Sequence, residues 1–225
     1  MFDIKQELLK YKENQKFIDF SKKLIQTKYE MLGVKIPNIR ALVKNVKEQE
    51  INNLLKVNKT DTFEEILFKG FLLGKVNNLK VLKEQILNFL PYIDNWCTCD
   101  TVVASLKQLK KQNDMFEFFV SLTKDTREYY SRFGFVVLKT YYLKLEYIQT
   151  IISCILENSG QEYYIKMAKA WLIAEMCINY KSEVINILQS QKLDKFVQNK
   201  AIQKARESFR VDKDFKQKLL RYKLQ

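Results

Sequence analysis

The two tryptophans of this chain both lie beside residues that could do chemistry. Trp96 stands four residues before Asp100, and Trp171 lies in a second run with helical spacing. Positions i and i+4 share one face of a helix, so the Trp96 indole and the Asp100 carboxylate are expected to project side by side. Such a pair suits the stabilisation of positive charge on a sugar. From spacing alone, a solvated acid at Asp100 and ordinary packing of Trp96 remain open.

The apolar pattern around Asp100 predicts which way its carboxylate faces. With Asp94 as the N-cap, the apolar positions of the following helix fall on one arc at about 100° per residue. That arc contains Cys99, Val102, Val103, Leu106 and Leu109. Asp100 lies well outside it, and Trp96 lies between. We therefore expect Trp96 to be half packed and Asp100 to face a groove, because a buried unpaired carboxylate would be costly.

Arg132 is a third residue with possible chemistry, since it interrupts an aromatic and apolar segment. A guanidinium in such surroundings needs a carboxylate or a phosphate as its partner. A structural ion pair with an acidic side chain and a phosphate contact are both open. Gly134, two residues later, would permit a close approach of two helices.

The positive charge of the chain favours an anionic partner. The 39 lysines and arginines exceed the 26 acids, which gives a formal net charge of +13. A surplus of this size indicates binding to nucleic acid or to a membrane surface, although a merely basic soluble protein is the alternative. Lys166 and Lys169 share a helix face, and a C-terminal run adds Lys204, Arg206 and Arg210. Cations on facing helices could bind phosphates, although each one singly could be a solvated surface residue.

Several classes of site are disfavoured by composition. The sequence has no histidine, which excludes Ser-His-Asp and Cys-His nucleophiles and all histidine-bearing zinc sites. Its four cysteines form no CxxC motif, so we expect reduced, buried thiols, no metal and no cofactor. No apolar run is long enough to span a bilayer. The segment 1–7 carries acids and lacks the apolar stretch of a secretory signal, so a cytoplasmic location without membrane association is expected.

The elements that must position these residues are predicted to be helices. Five glycines and two prolines leave little turn chemistry for hairpins, and apolar residues recur at helical spacing almost throughout. We expect a dozen to fourteen helices, some of them capped by Asp61, Asp94 or Ser159. Short helices with short links favour an all-α solenoid of stacked antiparallel helix pairs over a compact globular bundle. No linker is evident, so residues 1–225 are predicted to form a single domain.

Taken together, these segments resemble the DNA alkylation repair family, the AlkD-like HEAT-repeat DNA glycosylases. The resemblance extends over nearly the whole chain and is carried by five segments in order: Gly33 to Arg40, Trp96 to Asp100, Ser131 to Phe133, Ala168 to Trp171, and Ile202 to Arg210. It implies a HEAT-like α-α superhelix with a basic concave groove. It also implies excision of cationic N3- and N7-alkylpurines from double-stranded DNA by cleavage of the N-glycosidic bond, without a base-binding pocket.

The resemblance also implies roles for individual residues. Asp100 matches the catalytic carboxylate, Trp96 and Trp171 match the aromatics that contact the sugar-phosphate backbone, and Arg132 matches the arginine beside them. Cys97 departs from the pattern, since many relatives have an aspartate directly after this tryptophan. A monomer is expected. Two other functions stay open, namely a non-catalytic nucleic-acid-binding HEAT-like protein that has lost glycosylase activity, and a protein-interaction solenoid.

Overall fold

The computed structural model describes residues 2–225, and this part of the chain is helical without a β-strand. Fourteen α-helices are present in the described range, which confirms the predicted all-α class. The chain divides into two compact units, residues 1–113 and 114–225. The single domain expected from the sequence stays a prediction, and the N-terminal segment on which the location was predicted begins at Met1, outside the described residues.

The helices of the first unit are α1 (Ile4–Leu9), α2 (Gln15–Leu24), α3 (Ile36–Lys44), α4 (Glu48–Leu54), α5 (Phe63–Leu72), α6 (Leu79–Phe89) and α7 (Trp96–Val103). Those of the second unit are α8 (Phe116–Thr123), α9 (Glu128–Tyr141), α10 (Ile148–Glu157), α11 (Tyr163–Met176), α12 (Lys181–Gln189), α13 (Lys195–Glu207) and α14 (Lys213–Leu219). Most links are short, and several contain a single 3-10 turn.

Alternate helices pack in a row within each unit. In the first unit α3 contacts α5 and α5 contacts α7, and in the second unit α9 contacts α11 and α11 contacts α13. Helices adjacent in the chain also pair, among them α8 with α9 and α13 with α14. Helix pairs stacked in this way are typical of an α-α solenoid, since each pair buries its apolar face against the next.

The core of the first unit is centred on α5, which is buried on nearly every side. Ile66, Leu67 and Phe68 are almost completely buried, and so is the carboxylate-bearing Glu64 at 2% exposure. A helix that is apolar all round belongs inside a core. This helix therefore forms the packing surface for both α3 and α7.

Glu64 stabilises the turn that leads into α3. Its two carboxylate oxygens accept the backbone N–H groups of Leu32, Gly33 and Val34 at 2.8, 2.7 and 3.1 Å. Gly33 has a φ of +88°, a conformation that a side chain would strain. The buried carboxylate thus satisfies three backbone donors of an irregular segment that could not otherwise be buried.

Two of the predicted helix caps are wrong by one residue, for the same physical reason. Thr62 and Asn95 cap α5 and α7, whereas Asp61 and Asp94 precede them. Asp61 forms a buried ion pair with Lys69, and Asp94 accepts hydrogen bonds from Thr27 and the Lys28 backbone. In each case another side-chain contact engages the aspartate, two turns along the same helix for Asp61 and in a distant segment for Asp94, and the next residue forms the cap. The Ser159 cap is also wrong, because α11 begins after Glu162.

The second unit is organised around α9, where residues 130–138 are buried without interruption. Gly134 allows α8 and α9 to approach closely, since a Cβ at this position would lie 2.9 Å from both the Phe119 carbonyl oxygen and the Thr123 nitrogen. The predicted function of this glycine is therefore confirmed. Between residues 2 and 225, none of the helices has the length and apolar character needed to cross a membrane.

The Glu64 contacts predict a large effect of a nearly isosteric substitution. We expect Glu64→Gln to lower the free energy of unfolding by about 3 kcal/mol, because an amide –NH2 would face backbone donors and a charge-assisted acceptor would be lost. Urea denaturation would measure the change. Glu65→Gln is the matched control on the same helix, and it should change stability by no more than about 0.5 kcal/mol, since glutamine also completes a capping box. Equal losses in the two variants would contradict the role given to Glu64.

Candidate functional site

The helix that carries Trp96 and Asp100 begins at a buried polar residue. Asn95 is 1% exposed, and its Oδ1 accepts the Thr98 N–H at 2.8 Å. Its Nδ2 donates to the Thr98 hydroxyl and to the Asp94 carboxylate at 3.0 and 2.8 Å. Every polar atom of this amide side chain is thereby engaged in fixing the first turn of α7.

Asp94 connects the start of α7 to the segment that follows α2. Its carboxylate accepts the Thr27 hydroxyl at 2.9 Å and the Lys28 N–H at 2.8 Å. The same segment contacts Trp96, because the indole N–H donates to the Leu24 carbonyl oxygen at 3.3 Å. Trp96 is 36% exposed, which is the half-packed state expected from the sequence. The indole is thus held by one edge while part of its surface faces solvent.

Asp100 lies one helical turn after Trp96 on α7 and is half-buried. The helix buries Cys97, Cys99, Val102 and Val103. The members of the predicted apolar arc that lie within α7 therefore face the core. Leu106 and Leu109 are also buried but lie beyond its last residue, Val103. Burial, together with the negative charge of Asp100, raises the pKa of the Cys97 thiol to about 11. The thiol is therefore neutral at physiological pH, and the negative side-chain charge of α7 belongs to Asp100.

Arg132 lies on α9 in the second unit and is 5% exposed. Its Nη1 donates to the Tyr164 carbonyl oxygen at 3.0 Å, and its Cζ lies 5.5 Å from the centre of the Tyr164 ring. Glu128, one turn earlier, accepts the Tyr164 N–H at 2.8 Å. Two charged residues on one face of α9 therefore bracket the first turn of α11, the helix that carries Trp171.

Trp171 is half-buried and packs against a cation that the sequence reading missed. The Nζ of Lys139 lies 3.6 Å from the centre of the indole ring, within the range of a cation–π contact. Lys139 is seven residues after Arg132, and positions i and i+7 share a helix face, so the spacing could have indicated it. Trp171 also lines a surface cleft of about 210 Å³ together with Glu175, Lys204 and Arg210.

The five cations predicted to contact DNA have different surroundings in the second unit. Lys166 donates to the Asp194 carboxylate at 3.2 Å, and Arg210 pairs with Glu175 at 2.6 Å. Burial alone would raise the pKa of Asp194, but hydrogen bonds from Lys166 and from the Val197 and Phe196 backbone, with the Lys166 charge, hold the pKa below its usual range. Lys204 and Arg206 have no acidic partner within 4.0 Å in the described part of the chain, and Lys204 is half-buried whereas Arg206 is exposed.

Lys169, which the sequence predicted as a phosphate contact, is buried in the second unit. It is 5% exposed, and its ammonium donates to the Asn158 backbone and side-chain oxygens at 2.8 and 3.3 Å. Burial lowers the pKa of this lysine. Spacing placed Lys166 and Lys169 on one face, but the Asn158 oxygens hold the second ammonium inside the unit.

A larger cleft, of about 650 Å³ and lined mainly by cations among its charged residues, was not predicted from the sequence. It lies between α13 and the C-terminal residues, and its lining includes Arg206 and three further cations, Lys195, Lys200 and Lys223. The Lys200 Nζ lies 5.8 Å from the centre of the Phe196 ring in the same lining. Clustered cations beside an aromatic ring are typical of nucleic-acid-binding surfaces. Within residues 2–225, no three cysteine, aspartate or glutamate side chains come together as metal ligands.

The four residues with predicted catalytic roles divide equally between the units. Trp96 and Asp100 share α7 in the first unit, and Arg132 and Trp171 lie on the packed helices α9 and α11 of the second. A family model described as DNA alkylation repair enzyme matches residues 4–207, which include all four. The comparisons with curated proteins and with solved structures found no match.

The different surroundings of Lys169 and Lys204 predict different effects on DNA binding. Lys204→Met should reduce the slope of log K against log salt by about 0.9, as expected for the loss of one phosphate contact. Lys169→Met removes the same charge but should leave that slope unchanged, since the Lys169 ammonium is buried and bound to the Asn158 oxygens. Fluorescence anisotropy with a duplex oligonucleotide over a salt series measures both. A reduced slope for Lys169→Met would show that the buried lysine contacts DNA after all.

Proposed function

Because the chain belongs to the DNA alkylation repair enzyme family, we propose that it is a DNA glycosylase that hydrolyses the N-glycosidic bond of cationic N3- and N7-alkylpurines in duplex DNA. The observation that carries this proposal is the arrangement on α7, where the half-buried Asp100 follows the partly exposed Trp96 by one turn. The net charge of +13 favours the same substrate, because duplex DNA is a polyanion.

The proposed reaction does not require the protein to protonate the departing base. An alkylated purine is already cationic, so it leaves as a neutral molecule when the bond between C1′ and the purine nitrogen breaks. The bonding electrons go to the purine, and the sugar becomes an oxocarbenium ion. Water then attacks C1′ and releases one proton, which gives an abasic site. No general acid is needed, and the absence of histidine from the sequence agrees with this route.

Asp100 is the group proposed to stabilise the oxocarbenium ion and to orient the attacking water. A fixed carboxylate near developing positive charge is worth several kcal/mol when water is partly excluded. Half-burial of Asp100 on α7 suits that role, since a fully solvated acid would act through a higher dielectric. The neutral Cys97 thiol beside it adds no competing charge at physiological pH.

Trp96, Trp171 and Arg132 are proposed to contact the sugar-phosphate backbone. Trp96 presents part of its indole to solvent while its N–H is held by Leu24. Because Lys139 already lies over one face of Trp171, only the opposite face of that indole can pack on a sugar. Arg132 is 5% exposed, so a phosphate can reach only an edge of its guanidinium. The monomeric state and the cytoplasmic location expected from the sequence also stay predictions.

The central experiment is excision by the Asp100→Asn variant. We expect the single-turnover release of 7-methylguanine from methylated duplex DNA to fall at least about tenfold, or roughly 1.4 kcal/mol of barrier, because an amide cannot balance the positive sugar. Asp19→Asn in the same unit is the matched control, since it makes the same charge change at an exposed acid. Unchanged release in Asp100→Asn would rule out the catalytic role, and a wild type that binds DNA without any excision would favour the non-catalytic alternative.

A second variant separates catalysis from binding. Trp171→Ala should lower single-turnover excision about tenfold while weakening binding to undamaged duplex less than about threefold, because the indole is proposed to act mainly on the transition state. Trp171→Phe should retain more activity than the alanine variant, since a flat aromatic surface remains. Equal losses in excision and in undamaged binding would instead make Trp171 an ordinary DNA contact.

A further inference from the structure

Arg40 is the last residue of the segment Gly33 to Arg40. It lies on α3 in the first unit and is half-buried. One hydrogen bond is made by its guanidinium, from Nη2 to the Thr101 carbonyl oxygen at 3.4 Å. The Cζ lies 5.0 Å from the centre of the Phe71 ring, and the Nε is buried without a hydrogen-bond partner.

This guanidinium differs from the other partly buried cations of the first unit. Lys69 is paired with Asp61, and Lys75 donates to three backbone carbonyl oxygens at and just beyond the C-terminal end of α3. No carboxylate oxygen of residues 2–225 lies within 4.0 Å of Arg40, and a single long hydrogen bond uses little of its five N–H donors. A partly desolvated arginine whose N–H groups mostly lack acceptors within the protein is expected to bind an anion.

The position of Arg40 directs that anion to the neighbourhood of Asp100. Thr101, whose carbonyl receives the Nη2 donor, is the residue that follows Asp100 on α7. The guanidinium also contacts the Phe71 ring on α5, so residues of both α5 and α7, which pack on one another, surround it. A cation here also lies beside one of the last carbonyl groups of α7, where positive charge is favourable.

We propose that Arg40 is a DNA-phosphate ligand that binds one backbone phosphodiester of the duplex that lies against α7, beside Asp100. This inference rests on the proposed function only in taking duplex DNA as the partner. A phosphodiester suits the site because a guanidinium offers planar paired donors to two phosphate oxygens. Through Thr101, the bound phosphate is then connected to the same helix as the carboxylate.

The competing role is structural, in which Arg40 only caps the end of α7. A cap would affect the stability of the fold and would influence every DNA contact equally. A phosphate ligand would affect one phosphate of the DNA and no other. The test must therefore identify a single phosphate position, rather than a general loss of affinity.

The experiment uses duplex oligonucleotides that contain a tetrahydrofuran abasic analogue, in which one phosphate at a time is replaced by neutral methylphosphonate. For the wild type, one position near the analogue should weaken binding about tenfold, the effect expected for loss of a charge-assisted contact. In Arg40→Gln, replacement at that position should have no further effect, while the other positions behave as in the wild type. Arg40→Lys, which keeps the charge, should retain part of the sensitivity.

Arg127→Gln is the matched control, since it removes the same charge from an arginine that is already paired with Asp125 at 2.6 Å. This variant should keep the wild-type methylphosphonate pattern. The inference is overturned if Arg40→Gln stays sensitive at every position, or if it weakens binding no more than Arg127→Gln does. Thermal melts verify that each variant is folded.

Excision is not used as a readout in this experiment, so its outcome is separate from that of the proposed function. A wild type that excises no alkylpurine but shows the Arg40-dependent phosphate position would refute the glycosylase and support the phosphate ligand. Normal excision with a methylphosphonate pattern independent of Arg40 would refute only the phosphate ligand.

Discussion

A charged group that leaves water needs a partner, and this requirement separates the cations that the fold satisfies internally from those that stay open to an external anion. Lys69, Lys75 and Lys169 are satisfied internally, by the Asp61 carboxylate or by oxygens of the backbone and of Asn158. Lys204 and Arg206 lie at the surface without an acidic partner in the described range. The formal surplus of +13 therefore overstates the charge that is directly available to an anion.

The same requirement fixes the backbone on which the candidate site is built. Glu64 satisfies three N–H groups before α3, Asn95 satisfies the first turn of α7, and Glu128 satisfies the Tyr164 N–H at the start of α11. Glu64 lies on α5 and Glu128 lies on α9, whereas Asn95 caps α7, and all three helices belong to the packed rows. The helices that carry Asp100 and Trp171 are thus held at their first turns by specific hydrogen bonds as well as by apolar packing.

The sequence could predict the class of fold because apolar periodicity is a local property of the chain. It could also predict the half-packed state of Trp96, since the apolar arc of α7 places the indole at its margin. The predicted caps at Asp61 and Asp94 are wrong because two adjacent polar residues were equally suitable, and a contact outside the cap, with Lys69 or Thr27, decided between them. The burial of Lys169 could not be predicted for a related reason, because spacing gives the shared face of two lysines but not the Asn158 oxygens on the neighbouring segment. Contacts beyond the local pattern therefore decided these positions.

The cysteine at position 97, where many relatives have an aspartate, leaves α7 with one negative side chain instead of two. Cys97 is 4% exposed, so an aspartate in its place would lose most of its hydration. The thiol carries no charge that would need a partner, because a pKa of about 11 keeps it neutral at physiological pH. The sequence Trp96–Val103 then contains one negative side chain, Asp100. A single fixed charge stabilises a cationic transition state, and the absence of a second carboxylate avoids repulsion of the DNA phosphates. A cysteine at position 97 is therefore compatible with the proposed chemistry.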